Sequence, residues 1–156
     1  MSNNTSENPT LNDLIATNKV GDYMTRNILV GKENFTVKHV ARLFNELKIH
    51  HLPIVSKIRE IEGIISANDL LRVCSRVMDV RDGSEPSELD DLIVDYMTPN
   101  PTVCSPSDSI EKAILLFGDG RFHALPVVEN GELVGIFTAN DLIDFLSSNL
   151  KGKEDK

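Results

Sequence analysis

The chain has 156 residues, of which 40% are hydrophobic, and carries a formal net charge of −8 at pH 7. A chain of this size suits one compact domain or two small repeats that share a core. The absence of a basic stripe argues against a nucleic-acid polymer as partner, and the absence of an apolar run near the roughly 20 residues that cross a bilayer argues against a membrane protein.

The first 18 residues are predicted to form a flexible N-terminal segment. They begin with the polar stretch MSNNTSENPT and lack the basic start and apolar run of a secretory signal. Two cysteines, Cys74 and Cys104, show neither CxxC spacing nor metal-ligand spacing, which is typical of free thiols in a reducing compartment. We therefore expect a cytoplasmic protein.

From residue 19 onward the sequence is a tandem repeat. The stretch VGDYMTRNILV matches IVDYMTPNPTV, so that Met24 aligns with Met97 at an offset of 73 residues. HHLPIV matches HALPVV at the same offset, and GIISANDL matches GIFTANDL at an offset of 72. Three separated blocks in the same order imply two copies of one structural unit.

The boundaries of the two copies follow from these blocks. We place repeat 1 at residues 19–82 and repeat 2 at residues 92–150. Residues 83–91 between them are acidic and carry Gly and Pro, so they are predicted to be a solvated linker. Residues 151–156 are predicted to be a flexible tail.

Each repeat predicts the order strand, helix, strand, strand, helix, which is a mixed α/β (α+β) fold. The first strand is short. The helix after it has apolar side chains at helical spacing and a candidate N-cap hydroxyl, Thr36 or Ser109. The predicted first strands are Ile28–Val30 and Thr102–Val103, and the helices begin at Val37 and Ile110.

The second half of each repeat is predicted to be a β-hairpin followed by a helix. LPIV and LPVV are short apolar runs that are typical of buried strands, and in repeat 2 the turn is Asn130–Gly131, a strong hairpin signal. The second strands are predicted at Glu62–Ser66 and Leu133–Thr138, and the last helices at Ala67–Val80 and Ala139–Leu150.

The junction between the last strand and the last helix carries Ser66 and Asp69 in repeat 1, and Thr138 and Asp141 in repeat 2. One interpretation is structural, because the hydroxyl caps the helix and the carboxylate favours its positive end. The other is functional. A helix start offers N–H groups to a phosphate, and an ionised Asp accepts hydrogen bonds from both hydroxyls of a ribose. For one such motif alone, capping is the more common explanation.

The doubled motifs resemble a pair of CBS domains, also called a Bateman module. Met-Thr, h-x-L-P-V-V and G-h-h-S/T-x-x-D all occur twice and in register between about Val20 and Leu146. The resemblance implies two repeats packed with pseudo-twofold symmetry around a shared core. It also implies two clefts that bind AMP, ADP, ATP, S-adenosylmethionine or sometimes a dinucleotide, and a homodimer paired through its helices.

The resemblance assigns ligand-binding roles to individual residues. Asp69 and Asp141 would bind ribose, and Ser66 and Thr138 would supply the hydroxyls at the helix starts. The residue after each Met would line a cleft, the first strand would offer backbone groups to adenine, and the residues before Leu-Pro would form a wall beside base and phosphate. These further residues are Thr25, Ile28 to Val30, Ile49, His50 and His51 in repeat 1, and Thr98, Pro101 to Val103, Phe122, His123 and Ala124 in repeat 2.

The resemblance also implies that each cleft combines the Asp segment of one repeat with the wall of the other. Asp69 would then face Phe122 and His123, and Asp141 would face the wall that begins at Ile49. Arg72 lies one turn after Asp69, whereas an acidic residue holds the equivalent position in repeat 2. Because an arginine helps to neutralise a phosphate, the Asp69 cleft is predicted to be the tighter site.

The histidines allow more than one interpretation. His50 and His123 hold equivalent positions, and either a phosphate or ribose contact or a structural role is open to them. Consecutive strand residues point to opposite faces, so the pair His50–His51 is not expected to bind a metal. Lys48 and Arg121 precede the walls and either reach a phosphate or remain solvated.

Catalysis finds little support in the sequence. It contains no Gly-x-Ser-x-Gly, no Walker loop and no Gly-x-Gly-x-x-Gly, so we do not expect an enzyme. Our first hypothesis is a stand-alone regulatory module that senses an adenine nucleotide and signals to an effector protein. The alternatives are a structural homodimerisation module with empty clefts and, third, a weak nucleotide hydrolase.

Overall fold

The structure is a computed structural model that describes residues 9–77, 87–118 and 120–151. Its helices are α1 (Leu11–Thr17), α2 (Val20–Tyr23), α3 (Val37–Leu47), α4 (Ala67–Val77), α5 (Ile110–Phe117) and α6 (Ala139–Lys151). Its strands are β1 (Gly31–Lys32), β2 (His51–Val55), β3 (Ile61–Ser66), β4 (Thr98–Pro99), β5 (Ala124–Glu129) and β6 (Glu132–Thr138). Two short 3-10 helices lie at Ser87–Asp90 and Ile93–Asp95. This is the predicted mixed fold.

The local signals in the sequence placed most of these elements correctly. Thr36 and Ser109 each accept a hydrogen bond from the third residue of the helix they precede, as predicted for N-caps. Asn130 and Gly131 have φ of 52° and 84°, which is the left-handed geometry that a two-residue hairpin turn requires. The predicted hairpins and final helices are therefore confirmed, although the predicted end of helix α4 at Val80 lies outside the described residues.

The two repeats form equivalent sheets. In the first sheet the strand order is β1-β2-β3-β4, with β1 parallel to β2 and the other pairs antiparallel. Strands β5 and β6 form the centre of the second sheet, and single bridges at Cys104 and Thr25 extend it on its two sides. Each sheet thus has the same four positions in the same order.

The outer strand of each sheet comes from the other repeat. We call residues 19–25 and 92–98 the opening segments. Thr98 of repeat 2 pairs with Ile64 in β3 of repeat 1. In the same way, Thr25 of repeat 1 exchanges two backbone hydrogen bonds with Ile136 in β6, at 2.9 and 3.0 Å. The opening segments are therefore exchanged between the repeats, and the exchange follows the predicted pseudo-twofold symmetry.

The same exchange is visible in the packing. The core of the protein consists of two clusters rather than the single shared core that the resemblance implied. One cluster brings Val20 and Met24 of repeat 1 together with Phe137 and Phe145 of repeat 2. The other places Ile93 of repeat 2 among the buried side chains of repeat 1. Neither cluster is complete without a segment from the other repeat.

The repeated Gly and Met residues pack against each other across the exchange. A Cβ on Gly135 would lie 2.8 Å from the carbonyl oxygen of Thr25 and 3.0 Å from Sδ of Met24. A Cβ on Gly63 would overlap the side chain of Met97. Glycine in the third block of each repeat thus leaves room for the methionine in the first block of the other.

Two segments predicted to be flexible or solvated are folded in part. Residues 11–17, predicted to be flexible, form α1, which starts with a Thr10–Asp13 capping box and packs Leu14 and Ile15 on the core cluster that contains Phe137 and Phe145. The second half of the predicted linker is also folded, because Leu89 of the first 3-10 helix packs on the other cluster. Residues 1–8, 78–86 and 152–156, which include the rest of these predicted segments, lie outside the described residues.

The predicted first strands begin too early. Residues 28–30 and 102–103 have no strand pairing, which starts instead at Gly31 in repeat 1 and occurs as a single bridge at Cys104 in repeat 2. At Gly31, a Cβ would collide with the side chains of Leu52 and Ile54, so the absence of a side chain lets β1 lie close to β2. Among the described residues, no helix is long and apolar enough to cross a membrane.

Candidate functional site

A cavity of about 450 Å³ lies between the repeats, beside the junction of β6 and α6. It is bounded by the segment that follows the opening segment of repeat 1, by the start of β2, and by the end of β6 with the first turn of α6. Its lining residues are Thr25, Asn27, Ile28, Leu29, Ile49, His50, His51, Pro53, His123, Ile136, Thr138, Ala139 and Asn140. Its volume is within the range of small-molecule sites.

Asp141 lies next to this cavity, since it contacts Thr25 and Thr138 on the lining, and its two carboxylate oxygens have different roles. Oδ2 accepts hydrogen bonds from the backbone N–H and from the hydroxyl of Thr138, both at 2.7 Å. These bonds hold the carboxylate at the helix start, as the capping interpretation predicts. Oδ1 has one long contact, 3.4 Å to the hydroxyl of Thr25, which itself lines the cavity. Oδ1 therefore keeps acceptor capacity on the cavity side.

The wall and the helix start of each repeat are joined through the backbone. The N–H of Ala139 donates to the carbonyl oxygen of His123 at 3.0 Å, and the N–H of Ala67 donates to the carbonyl oxygen of His50 at 2.9 Å. A wall residue thus satisfies one of the first N–H groups of the following helix. The relative positions of histidine and carboxylate are fixed by main-chain geometry rather than by long side chains.

Asp69 has the same capping bonds but a different neighbour. Its Oδ2 accepts from the N–H and hydroxyl of Ser66 at 2.9 and 2.6 Å. Its Oδ1 is paired with the guanidinium of Arg72 at 3.5 Å, and the Arg72 side chain is 77% exposed. The equivalent residue in repeat 2, Asp144, is exposed. Oδ1 therefore keeps acceptor capacity in Asp141, whereas in Asp69 the same oxygen is paired with an arginine.

Three imidazoles are the ionisable side chains on the cavity wall, and they come from both repeats. His50 and His123 are exposed, whereas His51 is half-buried at the start of β2. Burial is the main cause that lowers the pKa of His51, and the positive charge of His50 and His123 lowers it further, against an opposing effect of Asp69. His51 thus favours the neutral form. No group of three or more His, Cys, Asp or Glu among the described residues is placed to hold a metal ion.

The structure brings together part of the predicted site. The cavity joins Ile49 and His50 of repeat 1 to Thr138 and the first residues of α6, the segment that carries Asp141, although Asp141 itself is not among the lining residues. The predicted residues on its lining are Thr25, Ile28, Leu29, Ile49, His50, His51, His123 and Thr138.

Other predicted residues lie elsewhere. Val30 lines a separate cavity, and Ala124 is buried in β5, where it pairs with Thr138. Phe122 packs on the core cluster that contains Phe137 and Phe145. Thr98 and Val103 are exposed and Pro101 is half-buried. Of the two basic residues before the walls, Lys48 has a left-handed φ of 52° at the end of α3, and Arg121 is exposed.

Five lining residues were missed from the sequence, and some could have been found. His51 and Pro53 are two residues apart on β2, so strand alternation alone predicts that they share a face. Asn140 lies inside the repeated A-N-D motif. The others, Asn27, Ile136 and Ala139, hold positions to which the resemblance assigns no ligand contact, and they are brought to the cavity by the exchange of the opening segments.

Comparisons with known proteins agree with this architecture. The CBS domain profile matches residues 20–76 and 93–148. An uncharacterized protein of Methanocaldococcus jannaschii is 30% identical over 139 residues, 88% of this chain and 46% of that protein. The chloroplastic CBS domain-containing protein CBSX2 of Arabidopsis thaliana is 30% identical over 148 residues, 80% of this chain and 61% of that protein. The chain therefore spans about half the length of these relatives.

Two solved structures have the same fold. AcuB of Vibrio cholerae superimposes with a TM-score of 0.77 at 25% identity, covering 88% of this chain and 98% of that chain. CBSX2, crystallised in complex with AMP, superimposes with a TM-score of 0.71 at 29% identity, covering 85% of this chain and 98% of that chain.

Proposed function

The chain belongs to the CBS-domain family, and from that premise we propose that it is a regulatory module that binds an adenine nucleotide or adenosine derivative in the cavity beside Asp141. Candidate ligands are AMP, ADP, ATP and S-adenosylmethionine. The observation that carries the proposal is the cavity itself, which is lined by apolar side chains and three imidazoles from both repeats and by Thr25 and Thr138, the two residues that contact the carboxylate of Asp141. The AMP complex of CBSX2, a relative of similar fold, supports the choice of ligand class.

The lining suggests a division of roles. Oδ1 of Asp141 accepts hydrogen bonds from the ribose hydroxyls, since Oδ2 is already held by Thr138. The adenine ring lies against the aliphatic side chains of Ile28 and Ile49. A phosphate, where the ligand has one, lies toward the histidines, which donate hydrogen bonds to it.

We place the principal site beside Asp141 rather than beside Asp69, which reverses the expectation from the sequence. That expectation rested on Arg72 as a phosphate ligand. In the structure Arg72 is paired with Oδ1 of Asp69, the oxygen that a ribose would need. A ligand in that cleft would have to displace the arginine, although an exposed pair of this kind contributes only about 0–1 kcal/mol.

The proposed output is a change in how the two repeats sit together, passed to a partner protein. Ligand in the cavity would contact both repeats, because Ile49 belongs to repeat 1 and Thr138 belongs to repeat 2. Two equivalent apolar side chains, Leu71 on α4 and Ile143 on α6, are 64% and 58% exposed. They support a homodimer or an effector protein that docks on these helices.

Calorimetric titration of AMP, ATP and S-adenosylmethionine into the protein tests the proposal. Saturable binding of any of them that is weakened in Asp141→Asn is the expected result, and binding of AMP or ATP should also weaken in His50→Ala. If none binds to folded protein, the alternative of a structural module with empty clefts is favoured. That alternative has its own support in the structure, since both carboxylates already satisfy helix starts without a ligand.

A further inference from the structure

A second cavity, of about 560 Å³, lies between β1 and the β2–β3 hairpin of repeat 1. It shares no lining residue with the cavity beside Asp141. Its apolar floor is Val30 and Val55. Basic side chains surround that floor: Lys32 from β1, and Lys57 and Arg59 from the hairpin turn. Neither lysine has an ion-pair partner among the described residues.

The charge on this lining contrasts with the rest of the molecule. The lining contains three basic residues and one acidic residue, Glu33, whereas the whole chain has a net charge of −8. Ser56 adds a hydroxyl whose oxygen already accepts from the N–H groups of Ile58 and Glu60, at 3.3 and 3.2 Å. Its proton is therefore left to donate. The cavity offers donors and positive charge around a small apolar surface.

The backbone conformation of Arg59 is unusual for an arginine. Its φ is +64°, in the left-handed region that hairpin turns normally fill with Gly or Asn, as Asn130 and Gly131 do in repeat 2. The turn is closed by hydrogen bonds between Ser56 and residues 59 and 60. A strained residue is retained where the surroundings over-determine it, often at a binding site.

Contacts across the repeats hold Arg59 in place. Its carbonyl oxygen accepts from the N–H of Leu133 at 3.0 Å, and its guanidinium donates to the carbonyl oxygen of Leu133 at 3.2 Å. The guanidinium has five N–H donors, so others remain for a ligand. Arg59 is thus fixed at the cavity edge before any ligand binds.

We propose that this cavity binds the phosphoryl group of a small phosphorylated molecule, at a site separate from the Asp141 cleft. Two lysines and an oriented arginine match an anion with at least two negative charges. The volume and the valine floor leave room for an apolar portion beside the phosphoryl group.

Pyrophosphate is the probe that tests the proposal. It is titrated into the full chain by calorimetry while backbone amide signals are followed by NMR. The test variant is the double substitution Lys32→Gln with Lys57→Gln, and its matched control is Lys19→Gln with Arg42→Gln, which removes the same charge elsewhere on the surface. Arg59→Gly removes the guanidinium but retains the turn, since glycine adopts this φ readily.

We expect one saturable site whose affinity falls by about tenfold or more in the double variant and in Arg59→Gly, as when a charge-assisted hydrogen bond is lost. The control variant should bind pyrophosphate as the unmodified protein does, with amide shifts at Lys32 and Lys57. The proposal is overturned by an absence of saturation, by equal weakening in the control, or by shifts confined to the cleft around Thr25 and His50.

Discussion

The substitution Asp141→Asn separates the capping role of this carboxylate from its proposed role in binding ribose. Asp69 in the other repeat provides the control. Asp141 and Asp69 hold equivalent positions and make equivalent capping bonds to Thr138 and Ser66. Asparagine keeps one oxygen for the helix start but loses the charge. In the position of Oδ1 it presents an amide N–H₂, which cannot accept a ribose hydroxyl.

The two effects have different magnitudes. Loss of the charged cap should lower the free energy of unfolding by about 1 kcal/mol in both Asp141→Asn and Asp69→Asn. This corresponds to about 2–4 °C in Tm for a chain of this size. Loss of charge-assisted hydrogen bonds to the ribose costs about 1.5–3 kcal/mol, so the AMP affinity of Asp141→Asn alone should fall by about 10- to 150-fold.

Two assays are applied to the unmodified protein, Asp141→Asn and Asp69→Asn. Thermal unfolding measures the capping term, and calorimetric titration of AMP at one pH and salt concentration measures binding. The expected pattern is equal loss of Tm in both variants with unequal loss of affinity. Equal affinities in both variants, with equal losses of Tm, would refute the ribose role of Asp141 and leave only capping. A larger loss of affinity in Asp69→Asn would move the principal site to the other cleft.

Three further predictions concern stability and reactivity. Gly135→Ala should destabilise the protein more than Gly63→Ala, because its Cβ would meet the carbonyl oxygen of Thr25 at 2.8 Å, whereas at Gly63 it would meet a methionine side chain that can move. Chemical denaturation measures the difference. The lowered pKa of His51 means that its neutral form stabilises the folded state. That contribution is complete above the ordinary value of 6.5 and is lost as the pH falls toward the lowered pKa, so His51→Gln should flatten the dependence of Tm on pH below 6.5. Cys104 is 3% exposed, and burial raises the pKa of its thiol to about 12. Iodoacetamide should therefore modify this thiol only when the protein unfolds, and mass spectrometry detects the modification.

Each of these has a result that contradicts it. Equal stability of the two glycine variants would show that the Thr25 backbone shifts at little cost. An unchanged pH dependence in His51→Gln would show that the neutral form of His51 does not set the slope. Rapid alkylation of Cys104 in folded protein, with the other cysteine replaced by serine, would show that its strand opens locally.

The sequence predicted elements best where the signal is local. The N-caps Thr36 and Ser109 and the turn Asn130–Gly131 depend on residues within one turn of chain, and all were placed correctly. The first strand was misplaced because residues 28–30 are unpaired, and pairing starts only at Gly31, where the chain meets the neighbouring strand β2. Helix α1 was missed because its partly buried Leu14 and Ile15 form only a short apolar stripe.

The sequence by itself determined the repeat, the order of elements and the residues at each strand–helix junction, because these depend on spacing and on short-range hydrogen bonding. The exchange of the opening segments and the location of the cavity were decided only by the tertiary structure. From the sequence alone, Met24 could be assigned to either repeated glycine and Thr25 to either second strand, because the two copies carry nearly the same motifs. Only the three-dimensional packing shows that both belong with repeat 2, at Gly135 and Ile136, and this places the wall of one repeat beside the carboxylate of the other.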